Sequence, residues 1–206
     1  DVSFILRSDA PTTLYLALET PTGLFGAVSA TESLEKQSIE LLDHASSLRE
    51  TPASRWPIAV IDSNLSTEGF QYFRNSRLFA DHRIIVAAAS PAKAARLRYA
   101  CRDDVTIVIN RAESARVCAK AGEFSNAGEA AHALHDYGFA RAIVTDGPNH
   151  AADVCADWSV SARPGKGQPR NWTGAGDRFL AHHIAYDAVL DDPELVLMRA
   201  CDRASS

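Results

Sequence analysis

The chain has 206 residues, with 21 lysines and arginines against 26 aspartates and glutamates, which gives a net charge of −5. With 46% hydrophobic and 23% charged residues, the composition is typical of a soluble globular protein with a core and not of a disordered chain. The acidic balance argues against nucleic-acid binding, which requires clustered lysine and arginine. No apolar run approaches the roughly 18 residues of a membrane-spanning helix, and the first ten residues do not resemble a signal peptide. Four scattered cysteines without a CxxC pair favour reduced thiols, so we expect a cytoplasmic protein. From the charge balance and the lack of a long apolar run, we expect no nucleic-acid or membrane partner.

Apolar periodicity predicts an N-terminal β-hairpin followed by alternating helices and strands. In Thr13–Glu19, Leu14, Leu16 and Leu18 share one face, and a Pro-Thr-Gly turn leads into a second strand at Leu24–Ser29. The remaining elements, in chain order, are predicted as helix Ser33–Arg49, fully buried strand Pro57–Asp62, helix Thr67–Phe79, strand Arg83–Ala89, helix Pro91–Ala100, strand Val105–Asn110, helices Ala112–Lys120 and Ala127–Tyr137, strand Ala140–Thr145, a basic loop over 161–173, helix Gly174–Leu190 and a last helix from about Pro193.

This order predicts an α/β fold. Strands of near-continuous apolar character that alternate with helices are typical of a largely parallel sheet covered on both faces. We expect the hairpin to lie outside that sheet, so residues 1–32 form a small hairpin region and residues 33–206 form the α/β core. Asn126 with Glu129 resembles a capping box at one helix start, and Gly138 occupies the position of a left-handed C-terminal cap.

The segment Thr173-Gly174-Ala175-Gly176-Asp177 carries the clearest chemical signal. A helix N-terminus offers free N–H groups and partial positive charge, and glycine lets the backbone approach an anion closely. Asp177 falls in the first helical turn, where a carboxylate would repel a bound phosphate unless it served as a base toward an attacking hydroxyl. A tight turn followed by an ordinary N-terminal helix acid explains the same residues equally well.

Three motifs resemble those of the ribokinase/PfkB family of carbohydrate and nucleoside kinases. Thr173–Phe179 is similar to the family's C-terminal signature, Asn110-Arg111-Ala112-Glu113 to its Asn-x-x-Glu motif, and Thr145-Asp146-Gly147 to its Thr-x-Gly strand end. The motifs occur in the family's order, and the resemblance covers essentially the whole chain. It implies a ribokinase-like fold with a small hairpin lid, and ATP-dependent phosphorylation of a sugar or nucleoside hydroxyl.

The resemblance also implies a role for each motif residue. Asp177 would be the general base, and the N–H groups of Gly174, Ala175 and Gly176 would form the anion hole. Asn110 and Glu113 would hold Mg²⁺, largely through water, and the nucleotide would contact Asn110, Thr145, Gly147 and Thr173. The hairpin would cover the sugar. From the residues alone, Asn110 and Glu113 could equally be an N-cap and a first-turn acid.

Two further segments resemble the pseudouridine kinase branch of the family. They are the strand-end Asp62-Ser63-Asn64 and the run Ser90–Leu97, which contains Lys93 and Arg96. The branch resemblance favours a pseudouridine-like substrate. On local chemistry, Lys93 and Arg96 could be solvated helix charges instead.

The chain departs from the family pattern in length and in its nucleotide segment. This chain is about a third shorter than family members, which carry a sugar-binding glycine-rich segment before the lid strands, so we expect an N-terminal third to be missing here. Pro148, Asn149 and His150 replace the glycine that usually follows Thr-x-Gly. The rival interpretation is a non-catalytic nucleotide- or ligand-binding remnant. A homodimer through the lid strands would cover Leu14, Leu16 and Leu18.

Overall fold

The computed structural model describes residues 11–20, 23–47, 58–165 and 173–204. Their strands are β1 Leu14–Thr20, β2 Gly23–Ala30, β3 Ile58–Asp62, β4 Arg83–Ala87, β5 Val105–Asn110, β6 Arg141–Thr145, β7 Ala151–Cys155 and β8 Ser159–Ala162. Their helices are α1 Glu32–Lys36, α2 Ser38–Ser47, α3 Thr67–Ser76, α4 Pro91–Ala94, α5 Arg111–Val117, α6 Ala127–Tyr137, α7 Ala175–Asp187 and α8 Pro193–Ala204, and a 3₁₀ segment at Ala95–Ala100 continues α4. None of the helices in these ranges combines the length and apolar character needed to cross a membrane.

The strands form two separate sheets. β1 and β2 pair as an antiparallel hairpin, and β3 to β8 form one six-stranded sheet in sequence order. The first four strands of the larger sheet run parallel, and β7 and β8 are added antiparallel at its far side. The predicted α/β class, the largely parallel sheet and the separate hairpin are therefore confirmed.

Helices cover both faces of the large sheet because the inner strands are apolar on both sides. On one face, Phe70, Phe73, Leu97 and Leu134 belong to a core cluster with the sheet residues. On the other face, a second cluster joins α7 and α8 to β4, β5 and β6, and it includes Phe179 with Val108 and Ile143. Burial of this kind stabilises the fold by about 25 cal/mol for each Å² of apolar surface removed from water.

The predicted long helix at 33–49 is interrupted. α1 ends at Lys36 and α2 begins at Ser38, and residues 48 and 49 lie outside the described ranges. The Ser38 hydroxyl donates toward the carbonyl oxygens of Leu34 and Glu35, at 3.3 and 2.7 Å, and accepts the N–H of Ser66 at 2.8 Å. A serine that hydrogen-bonds nearby carbonyls competes with regular helix geometry, which accounts for the break.

Other predicted boundaries also need correction. The predicted helix Pro91–Ala100 tightens to a 3₁₀ segment after Ala94, and helix α3 ends at Ser76 because Arg77 adopts a left-handed conformation with φ of 50°. β3 is not fully buried, since it lies at the edge of the described sheet and Val60 is 51% exposed.

The strands β7 and β8 were not predicted at all, and they occupy a stretch that reads as irregular. An aspartate, Asp153, stands in the middle of β7 and interrupts its short apolar run, although the strand is buried. The predicted loop over 161–173 begins two residues later, because Ser161 and Ala162 belong to β8; its residues 166–172 lie outside the described ranges.

The predicted helix caps are largely confirmed. The Asn126 side chain accepts the N–H of Glu129 at 2.9 Å, and Gly138 has a left-handed φ of 119°. The Glu129 carboxylate accepts the N–H of Ser125 at 2.7 Å, so the box closes one residue earlier than the pattern predicted.

Candidate functional site

The turn before α7 has the geometry of an uncapped helix N-terminus. Gly174 is the N-cap residue with φ of 79°, a left-handed conformation that favours glycine, and its carbonyl accepts the N–H of Arg178 at 2.9 Å. Because glycine has no side chain, no side-chain cap satisfies the N–H groups of the first helical turn. The helix is 13 residues long, and Asp177 lies exposed in its first turn.

Open space lies beside both glycines of this turn. An added Cβ at Gly174 or at Gly176 would meet no heavy atom within 4 Å. N–H groups at a helix N-terminus attract anions through their hydrogen bonds and the helix dipole. The geometry of the turn therefore fits a phosphate group, with the Asp177 carboxylate close by in sequence.

Asn110 and Glu113 form a complete capping box at the start of α5. The Asn110 side chain accepts the N–H of Glu113 at 2.9 Å, and the Glu113 carboxylate accepts the N–H of Asn110 at 3.2 Å. Glu113 is only 6% exposed, and burial raises its pKa to about 7 although the hydrogen bonds with Asn110 oppose that shift. The structure thus confirms that Asn110 is the N-cap of α5 and that Glu113 is an acid of its first turn.

A role in holding Mg²⁺ is compatible with that capping box but is not a complete metal site. Among the described residues, no group of three histidine, cysteine, aspartate or glutamate side chains could hold a metal ion. Mg²⁺ is usually bound by one or two carboxylates together with water and substrate phosphates. A carboxylate has about four lone-pair sites, so Glu113 can accept from the backbone and from a metal-bound water at once.

Thr145 lies beside Asn110 at the carboxyl ends of the parallel strands. The two residues are register partners in the β5–β6 ladder, and Gly147 follows in a turn with φ of 56°. In open α/β sheets, ligands bind beyond the carboxyl ends of the strands. The first turn of α7 leads to Phe179, which belongs to the same core cluster as Ile143 of β6. The structure thus brings Asn110, Glu113 and Thr145 to the carboxyl edge of the sheet, and α7 packs against the same sheet through Phe179.

Residues of the segments Asp62–Asn64 and Ser90–Leu97 lie together in an ionic cluster that the sequence did not reveal. The Lys93 ammonium donates to the side-chain oxygens of Thr31 and Asn64, the latter at 2.9 Å, and lies 3.2 Å from Glu35. Arg96 contacts the other oxygen of Glu35 at 3.0 Å. Burial would raise the pKa of Glu35, but the hydrogen bonds from Arg96, Thr31 and Lys93 hold it below its ordinary value. The solvated-charge interpretation of Lys93 and Arg96 is therefore wrong.

This cluster joins the root of the hairpin to the sheet. Thr31 directly follows β2, whereas Asn64 follows β3 and itself donates to the Asp62 carboxylate at 2.8 Å. The Lys93 side chain is 13% exposed, so its charge is held by its partners rather than by water. No pattern signal pointed to Glu35, which reads as an ordinary helix acid.

The hairpin also reaches the candidate anion site. The Glu19 carboxylate, at the end of β1, accepts the N–H of Thr173 at 2.6 Å. Hydrogen bonding with Thr173 lowers the pKa of Glu19, and the charge of Arg178 acts in the same direction. Glu19 is therefore a further residue of this region that the sequence did not single out.

Solved structures that superpose on this chain include carbohydrate and nucleoside kinases. A carbohydrate kinase from Agrobacterium tumefaciens superposes with a TM-score of 0.70 at 18% identity, covering 96% of this chain. Ribokinase from Thermotoga maritima gives 0.69 at 18% identity over 97% of the chain. Adenosine kinase from Schistosoma mansoni, solved in complex with 2-fluoroadenosine, gives 0.64 at 16% identity over 97%. The chain therefore has a ribokinase-like fold.

The similarity to these kinases lies in the fold and is not matched at the level of sequence. No protein-family model and no curated protein sequence matches the chain. The chain spans 62% of the length of the Agrobacterium kinase and 64% of the Thermotoga ribokinase. At these identities the comparison defines the fold, and the chemistry rests on the chain's own residues.

Proposed function

We propose that the protein is an ATP-dependent kinase that phosphorylates a hydroxyl group of a sugar or nucleoside in the cytoplasm, with a pseudouridine-like substrate favoured. The observation that carries this proposal is the turn before α7, where uncapped N–H groups and two open glycines stand next to Asp177. Kinases among the structures of the same fold support it.

In this mechanism Asp177 takes the proton of the acceptor hydroxyl as that oxygen forms a bond to the γ-phosphorus of ATP. The bond between the γ-phosphorus and the β–γ bridging oxygen breaks, and ADP leaves with its electron pair. The N–H groups of Gly174, Ala175 and Gly176 stabilise the charge on the transferred phosphoryl oxygens. Such preorganised donors lose no energy to reorientation during the reaction.

The nucleotide would lie along the edge formed by Asn110, Thr145 and Gly147, with Thr173 at the approach to the anion hole. Mg²⁺ would neutralise phosphate charge, held by Glu113 through water and by Asn110. The hairpin β1–β2 would act as a lid that excludes water from the transferred group. We take residues 1–32 as this lid region and 33–206 as the catalytic core.

A homodimer through the lid strands is part of the same proposal. Leu14, Leu16, Leu18 and Val28 are between 58% and 73% exposed and lie on one face of the hairpin, by the alternation and register of its strands. A second copy of the hairpin would cover this apolar face. Sedimentation should then show a dimer that dissociates when Leu16 is replaced by Glu.

The central test compares two variants of the turn with matched controls. Asp177→Asn should lower the phosphoryl-transfer rate by about 10²–10⁴-fold, the contribution of a general base, while ATP–Mg²⁺ still raises the melting temperature. Glu194→Gln removes an equivalent exposed first-turn acid from α8 and should leave transfer unchanged. Transfer is measured as ADP release with pseudouridine, ribose, adenosine and fructose phosphate as acceptors. Unchanged transfer in Asp177→Asn would contradict the general-base role.

Gly176→Ala separates the anion hole from stability. An exposed helical glycine replaced by alanine should stabilise the fold by about 0.5–1 kcal/mol. The added methyl enters the open space beside the N–H groups, so transfer should fall by about tenfold or more, because the donors must approach the phosphoryl oxygens to about 3 Å. Gly128→Ala changes the corresponding second position of α6 and should keep full transfer.

The second candidate function is a non-catalytic nucleotide- or ligand-binding remnant of the fold. It is favoured by the capping box at the start of α5, which accounts for Asn110 and Glu113 without a metal ion. A ligand present at 100 times its dissociation constant stabilises a protein by about 2.7 kcal/mol. Stabilisation by ATP–Mg²⁺ without transfer to any acceptor would support the remnant, and transfer would refute it.

A further inference from the structure

The guanidinium of Arg111 connects three chain segments at the carboxyl edge of the sheet. Its Nε donates to Oδ1 of Asp146 at 2.8 Å, in the turn after β6. Its Nη1 donates to the carbonyl oxygen of Phe124 at 2.5 Å and lies 2.9 Å from the Glu123 carboxylate, both in the connection between α5 and α6. Arg111 itself is the first residue of α5.

This ion pair stands where the backbone ladder ends. The last register pair of β5 and β6 is Asn110 with Thr145, so Arg111 and Asp146 are the residues that directly follow the two strands. Beyond this point β5 continues into helix α5 and β6 continues into a loop, and side-chain contacts replace the backbone hydrogen bonds of the ladder. A charge-assisted contact from a guanidinium fixes direction as well as distance.

Asp146 passes this restraint to the candidate nucleotide loop. Its second carboxylate oxygen accepts from the Asn149 side chain at 3.1 Å, and its carbonyl oxygen accepts the N–H of Asn149 at 3.0 Å. Asp146 stands between Thr145 and Gly147, and its side chain is only 16% exposed. The turn 145–149 is therefore closed on itself and tied to α5 through the side chain of Arg111.

We propose that Arg111 is a positioning residue that holds the turn 145–149 in register with Asn110 and Glu113 so that the turn can receive the nucleotide. The inference rests on the proposed kinase function for its substrate class. Two carboxylates already balance the Arg111 charge, so its role is to place the turn rather than to bind phosphate itself. Loss of Arg111 should loosen nucleotide binding and leave the chemical step at Asp177 largely intact.

The kinetic test replaces Arg111 by Gln and by Lys, with Arg116→Gln as the control that removes an exposed charge from the same helix. Arg111→Gln should raise the KM for ATP about tenfold, the usual factor for one charge-assisted hydrogen bond, with kcat and the acceptor KM changed less than about twofold. Arg111→Lys keeps the charge but loses the forked geometry of the guanidinium, so its KM for ATP should lie between those of the parent protein and Arg111→Gln. Asp146→Asn breaks the same pair from the loop side and should match Arg111→Gln.

A second measurement does not depend on catalysis. The amide hydrogen of Asn149, which donates to the Asp146 carbonyl oxygen, should exchange about tenfold faster in Arg111→Gln and in Asp146→Asn of the substrate-free protein, and should stay unchanged in Arg116→Gln. Faster exchange without kinase activity in the parent protein would refute the kinase and keep the positioning role. Unchanged exchange in both variants, or a fall in kcat at constant KM for ATP, would overturn the positioning role.

Discussion

Asp153 should be the most sensitive single position for stability among the charged residues described above. It is fully buried in β7 and accepts two hydrogen bonds from Arg141, at 2.8 and 2.5 Å. Arg141 also contacts both carboxylate oxygens of Asp187, at 3.0 and 3.1 Å, and so joins the sheet to the C-terminal end of α7. The Trp158 indole N–H and the ring of His183 lie 3.3 and 3.6 Å from the Asp153 carboxylate. This group is the Asp153 network.

Replacing Asp153 by Asn would remove one of the two carboxylates that balance the buried Arg141 charge and leave only Asp187 to pair with it. Removing one partner of a buried ion pair typically costs about 3–5 kcal/mol, since the remaining charge is still desolvated. In a protein of this size, 1 kcal/mol corresponds to about 2–4 °C in melting temperature, so we expect a fall of roughly 6–20 °C. Asp187 still pairs with Arg141 in the variant, which favours the lower half of that range.

Thermal and urea unfolding of Asp153→Asn should be compared with Asp157→Asn, an exposed aspartate four residues along the chain. The control should stay within about 0.5 kcal/mol of the parent protein. A loss below about 1 kcal/mol in Asp153→Asn would refute the reasoning, because it would mean that the Arg141 charge is not desolvated.

The pH dependence of the same network offers a second readout. Burial would raise the pKa of Asp153, but the hydrogen bonds and the charge of Arg141 hold it below its ordinary value of 3.8. A folded-state pKa below the unfolded one means that the contribution to stability is complete above about pH 4–5 and is lost as the pH falls through the folded pKa. The parent protein should therefore lose stability below about pH 4 more steeply than Asp153→Asn.

Two further predictions concern the candidate site and a helix end. The pKa of Glu113 is raised from 4.5 to about 7, so its ionisation should reduce the stability of the fold as the pH rises from about 4.5 to 7. Urea unfolding should therefore show Glu113→Gln to be more stable than the parent protein at pH 8, by up to about 3 kcal/mol. This advantage should be lost at pH 5. Equal stability differences at both pH values would contradict the burial of a charge. Gly138→Ala should cost about 1–2 kcal/mol, because φ is 119° and an added Cβ would lie 3.2 Å from the Cys101 sulfur. Most of the loss should persist in a Cys101→Ala background if backbone strain dominates, which thermal unfolding of both variants can decide.

The sequence predicted the α/β class and the order of the elements up to Thr145 because apolar runs and helical periodicity agree there. It missed β7 because Asp153 interrupts the strand pattern, and only the tertiary contact with Arg141 makes a buried aspartate tolerable. The break at Gln37 escaped prediction for a similar reason, since the Ser38 hydroxyl bonds to Ser66 as well as to carbonyl oxygens of the preceding helix α1.

Residues of the candidate site could be predicted from the sequence where a strand ends in a polar residue. Asn110 and Thr145 each close an apolar run, and neighbouring parallel strands bring those ends to one edge. Glu19 and Glu35 gave no such signal, because Glu19 contacts Thr173 and Glu35 contacts Lys93 and Arg96, which are all distant in sequence. Arg111 lies within the Asn-x-x-Glu motif, yet its pairing with Asp146 depends on strand register, which the pattern alone does not fix.

The hairpin β1–β2 has solvent against both faces, with Phe25 81% and Tyr15 54% exposed. An isolated two-stranded hairpin is at best marginally stable in water, so this part of the chain should open far more often than the core strands. Its amides should exchange with solvent by local opening, at rates set by the contacts of Glu19 and Thr31 rather than by global unfolding. If two copies pair through the hairpin, those exchange rates will slow as protein concentration rises, which makes the lid's own dynamics a measure of assembly.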